Sequence, residues 1–422
     1  MTRDTDTLDL QGWLQRLETL HPSTIELGLD RVRAVYERLA LDLAPLRIVT
    51  VGGTNGKGST VAMLAAVLRQ AGHRVGTYTS PHLLRYNERV CLDGRECSDA
   101  DLCTAFAAVE AVRGGISLTY FEFGTLAALW WFAREQPAYL ILEVGLGGRL
   151  DAVNIVDSTL SILTNVALDH VDWLGNTREQ IGFEKAGIFR AGCPALYGER
   201  DMPASVREQG KALGAKLLQQ GRDYGWQDGE GGWSWQGLDG NGRALRLQQL
   251  PALPYPLDNA ASVLQALYLL EPGLSESVLR QGLIQTRLAG RCQEITYQGR
   301  RVLLDVAHNP HAAACLAQVL RSRLEGAPVR LVIAMLGDKD SAGVMALLAP
   351  VASALHVASL GGERGADAKI IYNYALQHGV ANPVRHDTVW EAFTAACEAA
   401  APDEVVVVTG SFFTVAAVLE HI

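Results

Sequence analysis

Residues 51–60, VGGTNGKGST, have the composition of a loop that binds phosphate. Glycines let successive backbone N–H groups point at phosphate oxygens, Lys57 adds a positive charge and Ser59 a hydroxyl. The segment departs twice from the usual G-x-x-x-x-G-K-[ST] motif, because Val51 replaces the first glycine and Gly58 follows the lysine. A tight glycine-rich turn is the alternative. The combination of strand, glycine-rich turn, lysine and following helix favours a phosphate loop of another kind.

Two further candidates for chemistry follow apolar stretches that read as buried strands. Glu143 lies near the end of YLILEVG (139–145), and His170 follows TLSILTNV (159–166). In an open α/β sheet, ligands bind at the carboxyl ends of the strands. Nucleotide phosphates need Mg²⁺, which prefers oxygen ligands, so Glu143 is a candidate metal ligand. A surface glutamate and a structural histidine are the alternatives at these two positions.

These residues require a scaffold that brings strand ends together, and the first half of the chain has the pattern for one. Its apolar runs are continuous rather than alternating, which is typical of parallel strands covered on both faces. Residues 223–250 are rich in glycine and tryptophan and predict a small antiparallel region. The predicted strands are 46–51, 74–80, 139–145 and 159–166, and the predicted helices are 58–72, 178–189, 257–270 and 275–286.

A second α/β pattern occupies the last third of the chain. Four apolar runs, at 301–308, 329–336, 354–360 and 404–410, are separated by helical stretches such as 311–324. The predicted fold class is therefore α/β, with two domains. A P-loop ATPase-like, doubly wound domain with a small antiparallel region spans 1–287, a linker spans 288–298, and a Rossmann-like domain spans 299–422.

Composition excludes several classes of protein. The net charge of −9 argues against a general nucleic-acid binder. The seven cysteines are scattered without a CxxC pair, which fits a reducing compartment. No apolar run has the length of a membrane span, and residues 1–13 show no signal-peptide pattern. We expect a cytoplasmic monomer that binds neither membrane nor nucleic acid. A GTPase is disfavoured because GDKD (337–340) only approximates the guanine motif.

Several longer motifs carry a family resemblance that extends from Leu20 to Phe413. The chain resembles the folylpolyglutamate synthase/dihydrofolate synthase family, the folate branch of the Mur ligase superfamily. TSPHL-x-x-x-x-ERV and EVGLGGRLDA-x-N are the specific matches. The motifs are VGGTNGKGST (51–60), TSPHLLRYNERV (79–90), ISLTYFEFGTLAAL (116–129), LEVGLGGRLDAVNIV (142–156), ALDHVDWLG (167–175), EKAGIFR (184–190) and LDVAHNPHA (304–312).

The resemblance implies an ATP-dependent amide ligase of folate biosynthesis. Such an enzyme adds L-glutamate to the carboxylate of dihydropteroate or of tetrahydrofolates. A carboxylate reacts with an amine at neutral pH only after activation, which phosphorylation by ATP supplies as an acyl phosphate. The glutamate amine then displaces phosphate. Because phosphoryl transfer is catalysed mainly by positioning and charge neutralisation, this chemistry needs a phosphate loop, Mg²⁺ and further cations, but no protein nucleophile.

The resemblance also implies roles for individual residues in ATP and metal binding. The ATP contacts would be Asn55, Gly56, Lys57, Gly58, Ser59, Asn259, Arg291, Asp305 and His308. The last four would contact nucleotide across the domain interface, and ligand binding would change the domain angle. Ser80, Glu143 and His170 would bind one Mg²⁺. Lys185 resembles a lysine that relatives carry as a carbamate, which could hold a second Mg²⁺; a plain surface lysine is the alternative. Catalytic roles fall to Lys57, Lys185, Arg291 and His308.

Substrate contacts follow in the same way. The pterin would contact Thr119, Phe121, Asp151 and Ala152, with segment 23–32 covering them. That segment could equally be an ordinary amphipathic helix. Glutamate would contact His308 and Ser411. Phe413 stands where relatives commonly have histidine or tyrosine, so a polar role at that position is in doubt.

Three alternatives stay open at this point. The first is another Mur-type ligase, for example one that acts on a cell-wall peptide, and the second is an enzyme with folylpolyglutamate synthase activity only. The third is a nucleotide-binding module without catalysis. TSPHL and LDAVN argue against the first, and the co-occurrence of Lys57, Glu143, His170 and Arg291 argues against the third.

Overall fold

The computed structural model describes residues 8–23, 25–324, 326–362 and 364–422. The chain divides into two compact units. The first comprises the described residues up to Leu253 together with Leu257–Thr286, and the second comprises Pro254–Pro256 and the described residues from Arg287 to Ile422. Within the described ranges, no helix is both long enough and apolar enough to cross a bilayer.

An eight-stranded sheet forms the centre of the first unit. Its strands are β1 (Arg47–Gly52), β2 (Val75–Tyr78), β3 (Val90–Leu92), β4 (Arg95–Glu96), β5 (Tyr139–Glu143), β6 (Leu160–Leu163), β7 (Pro194–Tyr197) and β8 (Lys216–Gln219). The order is β4-β3-β2-β5-β1-β6-β7-β8. The strands from β2 to β8 in this order are parallel, and the β3–β4 hairpin is added antiparallel at the edge.

Helices cover this sheet; its central strands β5 and β6 are buried along their whole length, and β1 is buried at every residue after Arg47. The helices are α1 (Leu10–Thr19), α2 (Asp30–Leu39), α3 (Lys57–Gln70), α4 (Asp99–Arg113), α5 (Tyr120–Glu135), α6 (Val171–Leu174), α7 (Arg178–Ala186), α8 (Ala204–Ala212), α9 (Leu257–Leu270) and α10 (Glu276–Gln285). Burial on both faces explains why the strands are continuous apolar runs.

A separate antiparallel sheet confirms the prediction for the glycine- and tryptophan-rich segment. Its strands are β9 (Gly225–Gly229), β10 (Gly232–Leu238) and β11 (Ala244–Leu250). Trp235 anchors the sheet to α9, because its ring stacks on Tyr268 at 5.2 Å and its indole N–H donates to Ala261 O at 3.0 Å.

The second unit has a six-stranded sheet with its own apolar core. Its strands are β12 (Gln293–Tyr297), β13 (Arg300–Leu304), β14 (Val329–Ile333), β15 (Ala354–Ala358), β16 (Val384–His386) and β17 (Val405–Thr409), in the order β12-β13-β17-β14-β15-β16. Only β12 is antiparallel. The helices are α11 (Pro310–Arg323), α12 (Ser341–Leu348), α13 (Ala368–Gln377), α14 (Val389–Ala399) and α15 (Phe412–Leu419).

The segment 288–298, expected as a linker, differs from that expectation. Residues 293–297 form β12, which pairs with β13 through a turn at Gln298 and Gly299. Both turn residues have positive φ, 47° and 76°, as two-residue hairpin turns with the right twist require. The segment contains neither proline nor a run of apolar residues, so its pairing as an edge strand depends on the neighbouring β13.

Candidate active site

The loop between β1 and α3 is held in place by polar side chains at the end of the neighbouring strand β6. Asn165 accepts the Asn55 N–H through Oδ1 at 2.9 Å and donates to Asn55 O at 2.9 Å. Thr164 Oγ1 donates to Asn55 O at 2.7 Å. A Cβ on Gly53 would lie 1.8 Å from Thr164 Oγ1, so only glycine fits there. The sequence interpretation missed Thr164 and Asn165, although they are the polar residues that follow an apolar run.

Asn259 lies against the loop although it is some 200 residues distant in sequence. Gly56 has φ 81°, and a Cβ there would lie 2.5 Å from Asn259 Nδ2. The same Nδ2 donates to Ser59 Oγ at 3.0 Å, and Ser59 Oγ donates to Gly56 O at 3.0 Å. The structure therefore brings these three predicted ATP-contact residues together at the first turn of α3.

Two lysine ammonium groups converge on one carbonyl of this loop. Lys57 Nζ donates to Gly53 O at 3.1 Å and to Thr54 O at 3.2 Å, and Lys185 Nζ donates to Gly53 O at 3.0 Å. Lys185 is buried in the last turn of α7. Burial, together with the charge of Lys57, lowers the pKa of Lys185 to about 7. The Lys57 ammonium beside the N-terminus of a 14-residue helix suits a polyphosphate.

The strand ends beside the loop supply oxygen atoms for a divalent cation. Glu143 is the last residue of β5 and is buried, and its Oε2 accepts the Ser80 N–H at 3.2 Å. His170 follows β6 and is the N-cap of α6, with φ 52°; its side chain is exposed beside Asp169. In the described part of the chain, no three His, Cys, Asp or Glu side chains form a metal-ligand cluster. The Glu143 carboxylate, with the Ser80 backbone beside it, suits Mg²⁺, which usually keeps several waters and phosphate oxygens as ligands.

The TSPHLLRYNERV motif folds around Glu88. The carboxylate accepts the backbone N–H groups of Leu83, Leu84 and Arg85 at 2.7, 2.8 and 2.7 Å. These bonds close the loop that follows Ser80. The role of Glu88 in the motif is therefore structural. The sequence interpretation had assigned it no role.

The next residue of the motif, Arg89, binds the same loop from another side. Its Nε donates to His82 Nδ1 at 2.8 Å, and its guanidinium lies 5.4 Å from the Tyr86 ring centre and 5.7 Å from that of Tyr120. Burial and the charge of Arg89 lower the pKa of His82 to about 4, so the imidazole is a neutral acceptor at pH 7. Tyr120 opens α5, so Arg89 links the motif to that helix.

The four residues predicted to contact a pterin lie in two adjoining segments. Thr119 caps α5, and Phe121 packs on the loop after β5 so closely that a Cβ on Gly145 would lie 2.6 Å from its ring. Asp151 is buried in the same loop and accepts the backbone N–H groups of Leu146 and Val153 at 2.7 and 3.0 Å. Burial raises the pKa of Asp151 to about 6, so the carboxylate is mostly ionised at pH 7.

The same loop continues into a short 3₁₀ turn, and segment 23–32 lies next to it. Ala152 is buried at the start of the turn Ala152–Ile155. Helix α2, which includes the end of segment 23–32, packs against both α5 and this turn. Thr24 lies outside the described residues.

In the second unit, the predicted residues gather where β13 and β17 end. Asp305 follows β13 and accepts the backbone N–H groups of Cys292 and Ala307, each at 2.9 Å. Arg291 lies 4.8 Å from the Phe412 ring centre, and the His308 ring lies 6.2 Å from it. The Phe412 ring therefore lies beside both Arg291 and His308. The sequence interpretation did not name Phe412.

The adjacent residues Ser411 and Phe413 differ in exposure. Ser411 is the buried N-cap of α15, and its Oγ accepts the Phe413 N–H at 3.2 Å. The Phe413 residue is 60% exposed. Its ring therefore occupies a position at the surface of this unit.

Comparison with known proteins shows that the chain contains two Mur ligase domains. Residues 51–198 match the Mur ligase middle domain, and residues 290–412 match the Mur ligase glutamate ligase domain. The chain is thus a Mur-type, ATP-dependent ligase. It is 45% identical to the dihydrofolate synthase/folylpolyglutamate synthase of Escherichia coli (strain K12) over 98% of this chain and 95% of that one. For the Haemophilus influenzae protein of the same name, the identity is 40% over 97% of each chain.

The chain belongs to the dihydrofolate synthase/folylpolyglutamate synthase family of ATP-dependent glutamate ligases. Solved structures agree: E. coli FolC in complex with DHPP and ADP has a TM-score of 0.92 at 44% identity and covers 99% of this chain, with 98% of that chain matched. A bifunctional folylpolyglutamate synthase/dihydrofolate synthase with Mn, AMPPNP and L-glutamate bound has a TM-score of 0.90 at 46% identity, covering 100% and 99%. The predictions of family, fold class, ligase activity, ATP and a divalent metal are confirmed.

Proposed function

We propose that this protein joins L-glutamate to the carboxylate of dihydropteroate and to that of tetrahydrofolates, at the expense of ATP. The observation that carries the proposal is the convergence of Lys57 and Lys185 on Gly53 O, beside the N-terminus of α3. Relatives with ADP and DHPP, or with AMPPNP, Mn and L-glutamate, support the choice of substrates.

The loop residues hold the nucleotide in this proposal. The amides of Asn55, Gly56, Gly58 and Ser59 donate to phosphate oxygens, and Lys57 exchanges its two carbonyl contacts for a phosphate. Asn259 fixes the first turn of α3 through Ser59. The loop thereby neutralises the charge of the transferring phosphoryl group.

In this proposal Glu143, Ser80 and His170 would hold one divalent cation. When bound, it supplies positive charge that polarises the phosphoryl group. Lys185 reacts with CO₂ in this proposal: the neutral amine forms an N–C bond, one proton is released, and an anionic carbamate results. A pKa near 7 makes a substantial fraction of the amine neutral and so available for this reaction. The carbamate oxygens would then be ligands for a second divalent cation.

The acceptor substrate places its pterin against Phe121, with the Asp151 carboxylate accepting hydrogen bonds from the ring. Asp151 already accepts two backbone N–H groups, which hold it at a fixed angle, and a carboxylate has further lone pairs available. Thr119 and Ala152 form the adjoining walls. In the second unit, Arg291 and Asp305 serve the nucleotide, and His308 and Ser411 serve glutamate.

The deciding experiment is product analysis with dihydropteroate and then tetrahydrofolate as acceptor, each with ATP and L-glutamate. We expect an acceptor extended by one glutamate, with one phosphate released per bond formed. Extension of tetrahydrofolate alone would identify a folylpolyglutamate synthase only. Extension of neither acceptor, with turnover of a cell-wall peptide precursor, would identify another Mur-type ligase. We further propose a cytoplasmic monomer without affinity for nucleic acid, which sedimentation with and without DNA tests.

A further inference from the structure

A chain of hydrogen-bonded side chains ties residues 21–31 to the start of α5. Ser117 Oγ lies 3.1 Å from His21 Nδ1, and His21 Nε2 lies 2.8 Å from Glu26 Oε2. Arg31 Nη1 donates to Glu26 Oε1, and Arg31 Nη2 donates to Glu122 Oε1 at 2.9 Å. Both ends of the segment are therefore attached to one turn, residues 117–122.

Glu122 is the buried end of this chain. Its side chain is 5% exposed, and it also accepts the Thr119 N–H at 2.8 Å in the capping box of α5. Arg31 thus meets a carboxylate that already fixes the first turn of this helix. Removing the guanidinium would leave a buried carboxylate with one fewer partner, and that carboxylate holds Thr119.

Helix α2, which carries Arg31, packs against both halves of the proposed pterin pocket. The helix packs against α5, which carries Phe121, and against the turn Ala152–Ile155, which carries Ala152. Arg31 is in its first turn.

We propose that Arg31 and Glu122 are positioning residues for the acceptor substrate. The ion pair holds residues 25–31 against the pocket formed by Phe121 and Ala152, and so sets the affinity for the pterin end of the acceptor. This inference rests on the proposed pterin pocket. Neither Arg31 nor Glu122 takes part in the phosphoryl transfer.

The test compares Arg31→Gln with Arg16→Gln. The pair Arg16–Glu110 joins α1 to α4 in the same unit at 2.7 Å, with similar exposure of the arginine, and so is a matched control. We expect Arg31→Gln to raise KM for dihydropteroate about tenfold. Its KM for ATP and its kcat at saturating acceptor stay near the wild-type values, and Arg16→Gln changes none of the three.

Two further variants keep the test decisive. Arg31→Lys should restore only part of the acceptor affinity, because a single ammonium cannot reach both Glu26 and Glu122 as the forked guanidinium does. If Arg31→Gln does not fold, Glu26→Gln at the exposed end of the chain replaces it, with an expected rise of a few fold in acceptor KM. An unchanged acceptor KM, or an equal rise in KM for ATP, overturns the inference.

Asp151→Asn separates this inference from the proposed function. If Asp151→Asn raises KM for dihydropteroate while Arg31→Gln does not, the pocket stands and the positioning role is refuted. If neither variant changes it, the pterin pocket itself is wrongly placed.

Discussion

Replacing Gly56 by alanine should destabilise the loop between β1 and α3 and weaken ATP binding, by amounts that the geometry around Gly56 allows us to estimate. Gly56 has φ 81°, where a side chain costs about 1 kcal/mol. The new Cβ would lie 2.5 Å from Asn259 Nδ2 and 2.8 Å from its Oδ1, so the buried amide must move and lose its bond to Ser59 Oγ. A hydrogen bond of this kind contributes about 1 kcal/mol. We expect the free energy of unfolding to fall by about 2 kcal/mol in total.

Only the loss of the Asn259–Ser59 hydrogen bond, and not the backbone strain at residue 56, should weaken nucleotide binding. Displacement of Asn259 loosens the turn that carries Ser59, and about 1 kcal/mol corresponds to roughly fivefold weaker binding. Gly72→Ala is the matched control. Gly72 lies just beyond the other end of α3 with φ 87°, and its Cβ would meet no heavy atom within 4 Å. It should lose about 1 kcal/mol of stability and no affinity for ATP.

The assay is calorimetric titration with a non-hydrolysable ATP analogue, alongside thermal unfolding of both variants. A double-mutant cycle with Asn259→Ala tests the cause, because removing the amide removes the clash and the two changes should not add. Equal ATP affinity of Gly56→Ala and Gly72→Ala would refute the reasoning. Additive effects in the cycle would also refute it.

Three further predictions concern other parts of the molecule. Glu88→Ala removes the acceptor of three backbone N–H groups in the loop that follows Ser80. Because this loosens Ser80, a proposed metal ligand, the Mg²⁺ concentration for half-maximal activity should rise about tenfold, while ATP binding without metal is unchanged. Glu88→Gln should be intermediate, and a metal dependence equal to that of the wild type would contradict this prediction. Wild-type protein in ¹³C-bicarbonate at pH 8 should show a carbamate carbon resonance in its NMR spectrum. Lys185→Arg should lack both the resonance and the ligase activity. Wild-type spectra without the resonance would refute the proposed carbamate on Lys185. Burial and the neighbouring His386 depress the pKa of His356 from 6.5 to about 4. The stability from its neutral form is therefore complete above pH 6.5, declines as the pH falls below 6.5 and is fully lost once the pH has fallen through 4. At pH 5 the loss amounts to about 2 kcal/mol, and His356→Phe should flatten the pH dependence of the urea midpoint between pH 7 and 5. An unaltered slope would show that another group is responsible.

Much of the fold was predictable from the sequence because its signals are local. Continuous apolar runs identified β1, β2, β5 and β6, and the glycines after β1 identified the loop between β1 and α3. The motifs also identified Lys57, Glu143 and Lys185 as candidates for the site. Strands β3, β4, β7, β8, β12 and β16 were missed, because such short strands depend on a paired neighbour rather than on a long apolar pattern of their own.

By itself, the sequence determined that a glycine-rich loop follows a buried strand and precedes a helix, since glycine dihedrals and hydrophobic periodicity act over a few residues. Tertiary structure alone decided what fills the space around that loop. Asn259 lies where a Cβ on Gly56 would be, and Thr164 lies where one on Gly53 would be. Lys185 shares Gly53 O with Lys57 because α7 packs beside the loop. Such contacts join residues far apart in sequence, and only the packing of complete elements brings their side chains within hydrogen-bonding distance.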